Sequence, residues 1–223
     1  MSFISHNLRT ASINRLALPT LRRTFAISSI AMTSTISDAI KKDHREIESY
    51  YENIIKTSDE TEQTRWQNQF TWELARHSIG EELVVYPALE KYVSGGVDLA
   101  NKDRQEHQSV KEQLKEFQNL KPSDSQFTPT LKALMNDLSQ HIKEEEAEDL
   151  PKLEEVLSQE ESEKYSTSFG RTKMFVPSRS HPSAPDKPPY ETVVGLLAAP
   201  IDHLSDIFRK WPHTSGMPNP STK

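Results

Sequence analysis

The chain has 223 residues, 34% hydrophobic and 27% charged, with 14 Pro, 6 Gly and no Cys, a length that suits one domain of ordinary size with tails. The absence of cysteine excludes a disulfide framework, thiolate zinc sites, cysteine-ligated iron–sulfur clusters and a cysteine nucleophile, so any metal must be held by His, Asp, Glu or backbone oxygen. The net charge of −6 is unevenly distributed, and its acidic centre, with no basic stripe of interleaved aromatics, excludes nucleic acid as the expected partner.

Residues 1–37 hold Arg9, Arg15, Arg22 and Arg23 and no acid, with many Ser and Thr among scattered Leu, Ile and Phe. This is the composition of a mitochondrial transit peptide, and the dispersed Arg residues, never flanking one unbroken apolar run, argue against a secretory signal. The run Arg23-Thr24-Phe25-Ala26-Ile27-Ser28 fits two-step matrix processing with a mature start near Thr33. Residues 1–34 are therefore expected to be an address for the mitochondrial matrix, outside the fold.

Residues 38–163 carry 15 Lys and Arg against 29 Asp and Glu. From Ile36 to Leu157 the apolar residues recur at steps of three and four without sustained alternation, which predicts an all-α domain. A first helix is expected from about Ser37, as N-cap, to Lys56, with the stripe Ile40, His44, Ile47, Tyr51, Ile54. A second spans about Glu60 to Val93, with Trp66, Phe70, Leu74, His77, Glu81, Val84 and Ala88 on one face. Pro87 should kink it or end its regular part, and Gly95-Gly96 end it. A third, about Leu99 to Asn119, aligns Ala100, His107, Val110, Leu114 and Phe117. A fourth, from near Pro129, aligns Leu131, Leu134, Leu138, His141, Glu145 and Leu153. Helices of this length with short polar loops predict an up-down-up-down four-helix bundle over about 36–160.

The segment repeats internally. His77 is followed by Glu81 and Pro87, and His141 by Glu145 and Pro151, at the same offsets; His44 precedes His77, and His107 precedes His141, by nearly the same interval. Each helical hairpin thus carries a His on one arm and a His-x-x-x-Glu on the other, the latter placing both side chains on one helix face. All four His and both Glu share the stripes of the core, where an ionised carboxylate is unfavourable unless paired or bound to a cation. Four imidazoles and two carboxylates without sulfur are the ligand set of a two-metal site, preferring non-haem iron over manganese or zinc. A purely structural bundle, with His and Glu pairing among themselves, is the alternative. Glu73, Asp103 and Asp137 each precede a site His by four residues, where they either orient an imidazole or are solvated surface charges. The clusters Glu144 to Asp149 and Glu160-Glu161 are expected to be solvated.

At these positions the chain resembles the hemerythrin family, in its His-His-Glu cation-binding branch. The resemblance rests on Asp43-His44-Arg45-Glu46, His77-Ser78-Ile79-Gly80-Glu81-Glu82 with Tyr86-Pro87, Glu106-His107, and His141-Ile142-Lys143-Glu144-Glu145-Glu146 with Leu150-Pro151. It implies two iron ions joined by an oxo or hydroxo bridge, Glu81 and Glu145 bridging, and His44, His77, His107 and His141 as terminal ligands. An open position would take oxygen, peroxide or nitric oxide. Oxygen carriers of the family place a second His four residues from the first on the third helix; here Asp103 and Lys111 stand there, which leaves room for solvent or for Asp103 as a seventh ligand. The expected function is binding or sensing of a small oxidant or of iron supply; the alternatives are a diiron oxidase, a peroxide- or nitric-oxide-consuming enzyme, and a metal-free scaffold.

Residues 161–189, with Pro177, Pro182, Pro185, Pro188 and Pro189 among Ser, Arg and Lys, read as an extended linker. Residues 190–212 regain helical period through Val193, Leu196, Leu197, Ile201, Leu204, Phe208 and Trp211. This short amphipathic helix is expected to dock on the bundle, the alternatives being contact with a protein or a membrane surface. Residues 213–223 are expected to be a disordered tail. No apolar run approaches the ~18–20 residues of a membrane-spanning helix.

Overall fold

The computed structural model describes residues 34–184, 190–214 and 217–222. The expected address segment lies outside the described residues, apart from Ser34. The described residues contain helices and no strand: α1 (Ile36–Lys56), α2 (Glu60–Gly80), α3 (Tyr86–Tyr92), α4 (Gly96–Phe117), α5 (Phe127–Glu144), α6 (Leu150–Val156), α7 (Gln159–Thr172) and α8 (Tyr190–Asp206).

The starts of the first arms are set by local chemistry. Thr35, two residues before the expected Ser37, is the N-cap of α1: its side chain accepts from the Asp38 N–H while Asp38 accepts from the Thr35 N–H. This reciprocal pair satisfies two donors that the helix leaves open. Asp59 caps α2 by accepting from the amides of Thr61 and Glu62. Between the second and third arms Gly95 takes φ 76°, a conformation glycine adopts without steric cost. Gly96 lies so close to the Leu89 carbonyl that a Cβ would stand 1.9 Å from its oxygen.

The expected second helix is two helices end to end. A π turn, Glu81–Val85, joins α2 to α3, and a second, Glu145–Asp149, joins α5 to α6. The Tyr86 N–H donates five residues back to Glu81, and the Leu150 N–H donates likewise to Glu145. Proline follows each at once. It has no N–H to donate and its ring crowds the preceding turn, and one extra residue in that turn relieves both demands. Of the two outcomes expected of Pro87, the regular helix does end before it, at Gly80, and the turn that follows is widened.

The long arms pack as α1 on α2, α4 on α3 and α5, and α1 on α5 and α6. Their apolar side chains form two separate clusters. One gathers Ile47, Phe70, Leu74, Val110, Phe117, Leu131 and Leu138; the other gathers Ile40, Val84, Leu89, Ala100, Leu150 and Leu153. On each arm the His residues and Glu81 or Glu145 fall between a residue of the first cluster and one of the second. A buried polar layer is thus enclosed by apolar side chains on both sides.

Beyond Leu157 the structure departs from the expected linker. Gln159–Thr172 is helix α7, capped by a reciprocal Ser158–Glu161 pair. It packs on α1 and on the first π turn, where Phe169 rests against Gly80; a Cβ there would lie 2.7 Å from the Phe169 ring. Residues 217–222 are likewise not a free tail: the Pro218 carbonyl accepts from Gln69, Asn219 is buried and Met217 packs on the core.

Residues 198–206 of α8 are held by polar side chains to the segment that precedes the helix. Asp206 accepts from the Ser178 hydroxyl at 2.6 Å, and Asp202 from the Arg179 amide and His181. Trp211 packs edge-on against Trp72. Ile201, Leu204, Ile207 and Phe208 face outward, Phe208 with 83% of its surface exposed. No helix among the described residues is long and apolar enough to cross a membrane.

Candidate metal centre

All six residues singled out from the repeat converge in the polar layer, none more than 2% exposed. His77 Nε2 lies 3.2 Å from Glu81 Oε1, and His44 Nε2 lies 4.0 Å from the same oxygen. The other oxygen of Glu81, Oε2, stands 3.4 Å from His107 Nε2, which in turn is 3.1 Å from His141 Nε2. One carboxylate therefore faces two histidine pairs, one with each oxygen. Two groups of donor atoms close enough to share an ion result, His44/His77/Glu81 and Glu81/His107/His141. Glu145 reaches the first pair, its Oε2 3.4 Å from His44 Nε2.

The two carboxylates approach the imidazoles without hydrogen-bonding to them. Both oxygens of Glu81, both of Glu145, and His44 Nε2 are buried without a hydrogen-bond partner, although the contacts above bring them within 4 Å. A buried carboxylate left so is costly, on the order of 1–3 kcal/mol or more. The donor set therefore fits cations: nitrogen and carboxylate atoms aimed inward, with no Lys or Arg among them.

The electrostatics follow from this crowding. Burial, then the charge of Glu145, pushes Glu81 well above the ordinary carboxylate range. Burial opposes the charge of Glu145 too, but the approach of His44, whose Nε2 lies 3.4 Å away, and then the charge of His141 outweigh it and hold that carboxylate low. Burial lowers His77 and takes His107 down to about 4. At neutral pH both therefore present a lone pair, the form that binds metal.

The other ring nitrogens are held from behind by carboxylates that the repeat relates to each other. His77 Nδ1 lies 3.4 Å from Asp43, and His141 Nδ1 donates to Glu106 at 2.8 Å. His44 Nδ1 donates to Glu146 at 2.8 Å, and His107 Nδ1 lies 3.4 Å from Glu82. In each half the residue preceding one His supports the other His of its hairpin, and the residue following the site Glu supports a His of the opposite hairpin. Such partners fix tautomer and ring orientation.

Of the two roles open to the i−4 carboxylates, Asp137 takes the solvated one, and Glu73 and Asp103 take neither. Glu73 pairs with Arg76 at 2.6 Å and with Lys173, which also bonds Asp43. Asp137, on the surface, accepts from Gln113. Asp103 is buried with Oδ2 unpartnered; it groups with Glu106 and His141, and burial and then Asp149 raise it to about 7. Within the acidic run expected to be solvated, Glu145 and Asp149 are buried and Glu146 supports His44. Lys111, at the other position a fifth His would need, is committed to a buried ion pair with Glu82 at 2.8 Å.

In the sequence Tyr86 stands out only beside Pro87, yet its hydroxyl enters the layer. It lies 2.9 Å from His107 Nε2 and 3.3 Å from Nδ1. Burial, then the charges of Glu81 and Glu145, raises the phenol well above its ordinary value.

Known proteins agree with this architecture. Residues 35–153 match the model of the hemerythrin HHE cation-binding domain. A hemerythrin-like protein of Schizosaccharomyces pombe is 60% identical over 178 residues, 79% of this chain and 88% of that protein. A DNA nickase of Nostoc is 24% identical over 144 residues, 65% of this chain but 40% of that protein. Among solved structures, an HHE cation-binding-domain protein of Mycobacterium kansasii shares the fold with a TM-score of 0.55 at 22% identity, covering 63% of this chain and 86% of that one. By sequence match and by fold, this chain belongs to the hemerythrin HHE cation-binding family.

Proposed function

We propose that the chain holds two non-haem iron ions, one facing His44 and His77 and the other His107 and His141, with Glu81 and Glu145 shared between them. The observation that carries this reading is the pair of buried carboxylates whose four oxygens have no hydrogen-bond partner while imidazole nitrogens face them at 3.2–3.4 Å. Two such carboxylates are stable together when cations neutralise them. Nitrogen and oxygen donors without sulfur favour iron over softer ions.

When bound, such a pair supplies a redox-active position for a small oxidant: oxygen, peroxide or nitric oxide. The chain's residues do the rest. Asp43, Glu82, Glu106 and Glu146 hold the imidazoles in place, and the apolar clusters on either side of the layer limit entry of water. With Lys111 tied to Glu82 and no fifth His, the set leaves a position open, which favours sensing or oxidation over reversible carriage. The acid-free, Arg-bearing first 37 residues support import into the mitochondrial matrix, and the net charge of the bundle disfavours nucleic acid. The outward apolar side of α8 is the surface proposed for contact with a protein or membrane.

Metal per chain, measured by mass spectrometry on protein purified without a His tag, tests the centre. Close to two irons is expected. No bound metal, with no uptake of ferrous iron under anaerobic conditions, overturns it.

A further inference from the structure

The internal repeat breaks at one place beside the layer. Asp103 stands four residues before His107 and Asp149 four after Glu145, whereas the same positions about His44 and Glu81 hold Ile40 and Val85. Ile40 and Val85 belong to the second apolar cluster. Asp103 and Asp149 are buried almost as deeply, at 1% and 3% exposure, and Asp103 Oδ2 and Asp149 Oδ1 have no hydrogen-bond partner. One half of the bundle thus places hydrocarbon where the other buries two acids, which burial disfavours unless a cation joins them.

These acids continue to the surface. Asp103, Glu106 and His141 bring donor atoms within 4.8 Å of one another, and of the charges acting on Asp103 that of Asp149 is the strongest. His141 has no atom to spare, since Nε2 faces the layer and Nδ1 donates to Glu106 Oε2 at 2.8 Å. Asp103, Glu106 and Asp149 remain as oxygen donors. The other oxygen of Glu106, Oε1, lies 3.1 Å from Lys102 Nζ, and Lys102, a half-exposed side chain able to turn into solvent, also pairs with Glu144. Glu144, Lys102 and Glu106 therefore form a rim, Asp103 and Asp149 an interior. The inner end is Glu145 of the layer, whose charge acts most strongly on Asp149.

We propose that Asp103, Glu106 and Asp149 form a third cation site, outside the two-ion layer, that takes a hydrated divalent cation and passes ferrous iron inward to the centre. Its destination rests on the two-ion reading; its ligands do not. Carboxylate oxygens, with water completing the shell, suit hard divalent ions such as magnesium, manganese and ferrous iron. Glu106 Oε1 exchanges Lys102 for the cation while Oε2 keeps His141 in place. Only coordination changes, and no electron moves.

The test titrates the full chain, already loaded with two irons, with manganous ion and reads the loss of the free-ion signal by electron paramagnetic resonance. One further manganese per chain is expected. The double variant Asp103→Asn/Asp149→Asn should keep two irons and lose that manganese. Asp137→Asn, at an exposed acid that also precedes a site His by four residues, should keep both. Ferrous iron offered anaerobically to metal-free protein, with the remainder trapped at intervals by a chromogenic chelator, should enter the double variant about 10-fold more slowly than the wild type and reach the same final count. Two irons with no manganese bound in the wild type overturn the site, and equal rates overturn its part in entry. A double variant that loses an iron puts these acids on the centre itself and overturns a separate site. The wild-type manganese count decides even if the double variant does not fold. A chain that takes up no iron fails the two-ion reading, whereas two irons without manganese fail this one alone.

Discussion

Asp43 and His77 belong to different helices, 34 residues apart, yet Asp43 Oδ2 lies 3.4 Å from His77 Nδ1. Lys173, arriving from the end of α7, bonds the same Asp43 oxygen. The aspartate so held is pushed well below its ordinary value: burial opposes this, but His77 and Lys173 outweigh it. Its counterpart Glu106, on His141, is lowered by the same kind of partnership, with His141 and then Lys102.

Replacing either carboxylate should loosen metal without dismantling the fold. Asp43→Asn or Glu106→Gln is expected to weaken retention about 10- to 100-fold, read by competition with a chromogenic chelator. Retention equal to the wild type in both variants would show that the rings are oriented by packing alone.

Glu81→Gln separates metal binding from stability. In the metal-free protein the amide removes a buried carboxylate that burial and Glu145 make unfavourable to ionise, so the variant should gain about 1–3 kcal/mol at pH 8. It should also fail to hold two irons. Urea unfolding of chelator-treated protein and metal counts on the same preparation check both halves. A destabilised metal-free variant would mean that Glu81 is satisfied by its histidines.

Asp103 gives a pH dependence of definite sign. Its folded value of about 7 lies above the ordinary 3.8, so its stabilising contribution is full below about 3.8 and is lost as pH rises through about 7. Metal-free Asp103→Asn should therefore exceed the wild type in stability by up to about 4 kcal/mol at pH 8 and lose that advantage near pH 4. A constant difference between the two across this range counts against the buried-acid account.

Gly80 fixes how closely α7 covers the layer. Gly80→Ala puts a methyl 2.7 Å from the Phe169 ring and should cost about 1–3 kcal/mol, with Phe169→Leu recovering part of the loss in the double variant. Denaturant midpoints of the four proteins measure it. No cost for Gly80→Ala would place α7 less firmly than the contact implies.

The helices and the six polar residues of the layer were legible because they obey the helical period and repeat within the chain. The carboxylates behind the histidines were not found at i−4, since their contacts cross between helices and depend on how the hairpins fold. Their signal lay in the repeat itself: an acid directly before His44 and His107, and another directly after Glu81 and Glu145. Helix α7 was hidden for another reason. Its sequence has Tyr165 and Phe169 as its bulky apolar residues, too few to show a period, although Ser158-x-x-Glu161 carries the mark of a helix start. Around α8 the stripe residues Ile201, Leu204 and Phe208 are exposed while Trp211 is buried, because Asp202 and Asp206 find their partners on Ser178, Arg179 and His181.

The π turns give each long arm a change of rotational phase. An α-helix advances about 100° per residue, so one extra residue at Glu81–Val85 rotates everything after it by about that angle relative to α2. Deleting a single residue there would leave His77 and Glu81 on the inner face while swinging Tyr86 and the residues that follow around the helix axis. The arm consists of two segments whose facing directions are set independently: α2 aims the His–Glu pair, α3 aims the closing wall, and the turn between them adjusts one against the other.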